Sequence, residues 1–182
     1  MIFEEKTISS QMIYEGAILN LRKDTVEVVG NKISAREIVE HNGGVAIAAI
    51  TSDNKMVMVK QFRKAANKAI LEAPAGKLEK GEDPVSAAVR ELKEETGYTA
   101  SNIKLLTKFY ASVGYSEEII YVYLCTGLVS GETQFDDNEA IDIIEYDLND
   151  LYEMTLNGAI EDSKTIIAIL MAKIQLQKSG LL

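Results

Sequence analysis

A single cysteine, Cys125, among 182 residues rules out an intrachain disulfide and suits a reducing compartment, the cytoplasm. It lies in the strand-like run IIYVYLC, where packing is a better account of it than reactivity. The one histidine, His41, cannot build a His-rich zinc site, and it lends no support to a nucleophile–His–Asp triad. It is read as structural. No apolar run approaches the ~18 residues of a membrane span. The opening MIFEEKTISSQ has two acids before its first lysine and no apolar core, so it is not read as a signal peptide. Lys and Arg are also scarce, 19 against 28 Asp and Glu, for a net charge of −9. That balance excludes a nucleic-acid polymer as the expected partner. A small phosphorylated substrate stays compatible if a metal supplies local positive charge.

What is present is enough for a core, since 47% of residues are hydrophobic. Three stretches up to about residue 40, TISSQMIYEG, AILNLRKDTVEVV and NKISAREIVEH, alternate like strands, with Gly30-Asn31 as a hairpin signal. A sheet this small needs a neighbour to dock on. Residues 1–41 are therefore expected to form a β-sheet dimerisation segment, and 42–182 a second domain that Gly43-Gly44 opens. In that domain VAIAAIT, MVMVKQF, AILEAP, IKLLTKFYAS, EEIIYVYLCTG and IDIIEYDL read as strands, the first two joined by a turn at Ser52-Asp53-Asn54-Lys55. LNDLYEMTLNG and SKTIIAILMAKIQLQKSG read as helices. Strands interleaved with helical regions predict an α/β sandwich.

The densest signal is Gly76 to Tyr98, GKLEKGEDPVSAAVRELKEETGY. Asp83 before Pro84 predicts a helix start and Gly97 its end. On a helical wheel with Glu91 at zero, Glu95 falls at about +40°, Glu94 at about −60° and Arg90 at about −100°. Ala88, Leu92, Val85 and Val89 fall between about +60° and +160°, which predicts one apolar face and one acidic face. Ala87, at about −40°, is a small residue that leaves room for the loop above. Crowded carboxylates repel, and Arg90 is placed to offset only Glu94, one turn on. The acids read either as a solvated face or as a divalent-cation site, and the Gly-bounded loop with the adjacent Arg favours the site. Oxygen-only donors suit Mg²⁺ or Mn²⁺.

This stretch resembles the Nudix hydrolase signature G-x5-E-x7-R-E-U-x-E-E-x-G-U, U being aliphatic. Gly76, Glu82, Arg90, Glu91, Leu92, Glu94, Glu95 and Gly97 match, and Tyr98 departs at the last aliphatic position. The resemblance implies a Nudix α/β/α sandwich with a mixed sheet beside the small N-terminal antiparallel sheet. It also implies Glu91, Glu95 and the backbone carbonyl of Ala75 as metal ligands, with Gly76 in the substrate loop. Glu82 is open to two readings, orienting the metal ligands or meeting the helix N-terminus.

EAPAGKLEKGE preceded by VKQFR resembles the ADP-ribose pyrophosphatase branch. There the Arg matching Arg63 lies near substrate phosphates, and its place at a strand end before a loop favours that over a plain surface charge. In the loop Phe135-Asp136-Asp137-Asn138-Glu139 the resemblance implies an acid that reaches the metals and activates water, Glu139 first and Asp137 second. The catalytic candidates are thus Glu139, Glu94 and Arg90, with Glu139 also a metal ligand. Glu118 in SVGYSEE matches a family Glu that binds the terminal ribose or supports the metals. Val113 stands there in place of the family proline, which leaves the sugar open. Arg36 resembles an Arg near the adenine end, and Tyr14 is an aromatic candidate for the same work or for packing. The expected reaction is metal-dependent hydrolysis of a nucleoside diphosphate sugar, ADP-ribose to AMP and ribose 5-phosphate, by a homodimer. The alternatives are a GDP- or ADP-hexose pyrophosphatase, a non-catalytic Nudix ligand sensor, and an acidic interaction module without metal dependence.

Overall fold

The computed structural model describes residues 2–133 and 140–180. The chain divides into two compact units, one of residues 1–43 with 110–119, the other of 44–109 with 120–182. In the first, strands β1 (Lys6–Glu15), β2 (Asn20–Val28) and β3 (Lys32–Glu40) form an antiparallel sheet in the order β1-β2-β3. The turn between β2 and β3 uses Gly30 and Asn31, both at positive φ, as the hairpin signal requires. This unit also takes in 110–119, whereas the sequence pattern suggested one cut after residue 41. The reason is backbone pairing remote in sequence: Val39 donates to the carbonyl of Tyr115, and Glu117 donates back to that of Val39.

The second unit begins with β4 (Gly44–Ala49), β5 (Lys55–Arg63), β6 (Lys68–Glu72), β7 (Ala75–Lys77) and α1 (Pro84–Thr96). It continues with β8 (Thr99–Tyr110), β9 (Ile119–Val129), β10 (Asp142–Asp147), α2 (Leu148–Leu156) and α3 (Ser163–Lys178). One sheet is mixed, in the order β7-β4-β9-β8, with β4 and β9 parallel and β7 antiparallel to β4. A second has the order β10-β5-β6 and is antiparallel.

The period of two along a strand divides the core. In β4, Ala46 and Ala48 join Met56, Met58, Leu148, Leu151, Ile169 and Ala172 on the side of α2 and α3. Val45, Ile47 and Ala49 join Val57, Ala87, Ala88 and Leu92 on the side of α1. Helices therefore cover both faces of β4, which is why VAIAA reads as a continuous apolar run rather than an alternation. The result is an α/β/α sandwich.

The strand read as AILEAP stops at Glu72, because Pro74 cannot donate to a ladder. The chain then changes sheets. The carbonyl of Pro74 accepts from Ile47, and Ala75, Gly76 and Lys77 pair with Ala46, Val45 and Gly44 as the short strand β7, which the sequence pattern had read as part of a loop. No helix among the described residues is long and apolar enough to cross a membrane.

Candidate active site

The site is built where α1 lies against β7. Asp83 caps α1 by accepting from the Ser86 N–H, and Gly97 ends it in the left-handed region at φ 72°. Its buried residues are Ala87, Ala88, Leu92, Glu95 and Thr96, while Val85 and Val89 are exposed. The buried face is thus shifted from the expected one, leaving Val89 outside it, whereas Val85, at about +120°, is exposed in the first turn of the helix. On the same wheel the buried arc runs from about −40° to about +140°, so Glu91 and Glu95 fall inside it instead of opposite it. Glu95 is only 5% exposed.

Two consecutive residues of β7 receive these acids. The N–H of Ala75 donates to Glu95 Oε2 at 2.9 Å. At Gly76 a Cβ would overlap the carboxylate of Glu91, so only glycine lets that side chain lie over the strand. Ala75, expected to offer its carbonyl, is therefore held to Glu95 through its amide.

Arg90 does more than offset one neighbour. Its Nε and Nη2 each lie 3.1 Å from an oxygen of Glu82, while Nη1 reaches Glu91 Oε1 at 2.7 Å and Glu94 Oε2 at 3.0 Å. Nη2 also donates to the carbonyl of Lys77 at 3.3 Å. The wheel underestimated this reach because a guanidinium is a fork of five donors on a long stem. The bond to Glu82, opposed by burial and reinforced by Glu91 and Glu94, raises the arginine's proton affinity. The same bond, with the Glu79 N–H, holds the Glu82 carboxyl below its usual range. Glu82 meets Arg90, and at the helix N-terminus it is Asp83 that accepts from the Ser86 N–H.

Arg63 closes β5 and donates from Nε and Nη2 to the two oxygens of Glu72, at 2.6 and 2.7 Å. That pairing is the main cause of its raised pKa, against opposing burial, and the Glu95 carboxylate adds to it. Lys164 donates to Glu72 Oε2 at 2.6 Å and to Asp162 at 2.9 Å. Burial opposes ionisation of Glu72, but Arg63 and Lys164 prevail and hold its carboxyl below the ordinary range. The sequence reading missed Glu72, Lys164, Asp162 and Thr165 as a group. The available signal was an acid at the end of the apolar run AILE, which a buried strand tolerates only with partners.

The structure brings together Ala75, Gly76, Glu82, Arg90, Glu91, Glu94 and Glu95. Glu139 and Asp137 lie outside the described residues. Arg36, Tyr14 and Glu118 belong to the first unit. There Arg36 pairs with Glu5, Tyr14 is exposed on β1, and Glu118 Oε1 lies 3.6 Å from His41 Nδ1. His41 Nδ1 accepts from the Gly43 N–H at 3.0 Å.

Among the described residues no three His, Cys, Asp or Glu side chains gather as a metal site. Glu91 and Glu95 supply two carboxylates, and all candidate donors are oxygens, which fits a hard divalent cation and not zinc. The glycine opening beneath Glu91 is a second mark of fit, because it lets that carboxylate lie across β7.

The chain resembles known proteins over most of its length. The NUDIX domain model matches residues 40–168. The chain is 46% identical over 176 residues to the methanol dehydrogenase activator of Bacillus methanolicus, covering 96% of this chain and 95% of that protein. It is 44% identical over 168 residues to the ADP-ribose pyrophosphatase of Bacillus subtilis, 91% of each. Among solved structures, an ADP compounds hydrolase superposes with a TM-score of 0.88 at 16% identity, over 100% of this chain and 99% of that one, which shows the shared fold.

Two outcomes are expected from these contacts. Gly76→Ala should displace Glu91 and abolish metal-dependent turnover while leaving the core intact. Near-normal turnover of that variant would show that Glu91 can relocate harmlessly. For Glu72 the folded carboxyl is depressed, so its stabilisation is complete above the ordinary Glu pKa of about 4.3 and is lost as pH falls below it. Urea midpoints of wild type and Glu72→Gln should therefore differ most at neutral pH and converge in acid. A gap independent of pH would refute that account.

Proposed function

Because this chain belongs to the Nudix family, we propose that it hydrolyses the diphosphate bond of a nucleoside diphosphate sugar, with ADP-ribose the preferred substrate and AMP and ribose 5-phosphate the products. The observation that carries this reading is the seating of Glu91 and Glu95 on the adjacent residues Gly76 and Ala75, with Arg63 in the field of Glu95. The likeness to the Bacillus subtilis ADP-ribose pyrophosphatase supports the choice of substrate.

Glu91, Glu95 and the carbonyl of Ala75 would hold Mg²⁺, with Mn²⁺ as the substitute. When bound, the ion supplies positive charge to diphosphate oxygens and acidifies a water. Arg90 fixes Glu91 against Glu82 and Glu94, and is a positioning residue in this reading, as is Glu94. Arg63 contacts a phosphate oxygen. Glu139 takes the proton of the attacking water, with Asp137 as its substitute in the same loop. Glu118 addresses the terminal ribose. Arg36 and Tyr14 address the base, offered to a partner subunit. Residues 1–41 are the dimerisation segment and 42–182 the hydrolase domain. A reducing cytoplasm suits the lone Cys125, whose buried thiol is pushed up to about 12.

The likeness to a methanol dehydrogenase activator supports a second reading, in which the chain acts on another enzyme. A panel of ADP-ribose, ADP-hexose and GDP-hexose with Mg²⁺, products resolved by chromatography, separates the two. Turnover of ADP-ribose above the hexose nucleotides is expected, whereas binding without turnover favours the second reading. Glu95→Gln should lose on the order of 10³-fold in rate, and Glu139→Gln about 10²–10⁴-fold. If Asp137→Asn is inactive while Glu139→Gln is barely impaired, Asp137 is the base.

The dimer rests on β1, whose residues are all exposed in the single chain, Ile8, Met12, Ile13 and Tyr14 among them. Such apolar exposure marks an interaction surface. Light scattering should report about twice the 20.0 kDa chain. A fully active monomer would refute the arrangement.

A further inference from the structure

Glu72 is a carboxylate enclosed by the second unit, its side chain 2% exposed, and cations from two elements distant in sequence converge on it. Arg63 comes from the end of β5 and Lys164 from the first turn of α3. Lys164 Nζ and Arg63 Nη2 share Glu72 Oε2, so the carboxylate cannot rotate without breaking both bonds. Asp162, the N-cap of α3, holds Lys164 from the other side. Thr165, buried beside it, accepts from the Ala73 N–H at 2.8 Å and ties the same turn of α3 to the residue after Glu72.

Stability alone does not account for this arrangement, since apolar side chains of similar volume commonly stabilise a core as well as a buried ion cluster does. Its geometry is directional. Glu72 and Lys164 are enclosed, whereas the Arg63 side chain is 42% exposed. The Nε–Nη2 edge of Arg63 is occupied by Glu72, and Nη1 remains outside that pair. A guanidinium clamped along one edge presents the other in a fixed direction, which is what recognition of a phosphate oxygen needs.

We propose that Lys164 and Glu72 are positioning residues that aim Arg63 at the diphosphate of the substrate: Lys164 locks Glu72, and Glu72 locks Arg63. The inference rests on the reading of Arg63 as a phosphate contact. It is tested by steady-state kinetics on ADP-ribose with Mg²⁺ for Arg63→Ala, Lys164→Met, the double variant and Lys164→Arg, with a thermal midpoint for each. Arg63→Ala should raise KM by about 10- to 100-fold, and Lys164→Met by about tenfold with kcat changed less than about threefold. Lys164→Arg should restore KM. The double variant should be no worse than Arg63→Ala alone, because both changes remove one interaction. Should Lys164→Met not fold, Lys164→Gln takes its place with the same expected KM. A lowered midpoint with unchanged KM, or additive effects in the double variant, overturns the proposal while leaving Arg63 as a phosphate contact. An unchanged KM in Arg63→Ala removes that contact and the proposal with it.

Discussion

The arrangement depends on one close approach: the carboxylate of Glu91 lies across the backbone of Gly76, where a Cβ would force that carboxylate to move. One turn along α1, Glu95 takes the amide of Ala75. These two contacts join helix and strand directly, acid against backbone, at a place where most folds would interpose apolar side chains. The strand can serve this purpose because it is already held on its other edge by β4. Pro74 makes it available by ending the previous ladder and delivering the chain to the next sheet.

Enclosing carboxylates costs solvation, and the surrounding charges offset part of that cost in two separate clusters. Arg90 gathers Glu82, Glu91 and Glu94 around one guanidinium. Arg63 and Lys164 compensate Glu72. Within the net charge of −9, some cations stand where acids are enclosed, while Lys55, Lys68 and Arg36 pair with exposed acids. A protein built to hold a divalent cation near an anionic substrate needs this economy, because acid left uncompensated would repel the substrate it must receive.

The first unit follows different physics. Its sheet buries few apolar groups, and β1 has none. Its polar links centre on Arg22, which reaches Asp24, Glu40 and Glu117. Arg36 is likewise paired with Glu5. Exposed apolar residues on an edge strand are a liability unless another surface covers them. That is the physical ground on which this sheet is proposed to serve assembly.

The sequence by itself located most of the strands and helices, though not β7. The capping pair Asp83 and Gly97, the buried run of β4, the Gly30-Asn31 turn and the spacing of Glu91 with Glu95 are all local properties, written in periodicity and turn preference. It did not show that Val85 and Val89 would be left in water, that residues 110–119 would join the N-terminal sheet, or that Lys164 would meet Glu72 from 92 positions away. A helical wheel gives relative angles but no absolute rotation, which is set by the surface the helix packs against. Only tertiary packing decided that Glu91 and Glu95 lie on β7, and that Glu72 obtains Lys164, because those partners are separated in sequence and brought together by the layering of helices and sheet.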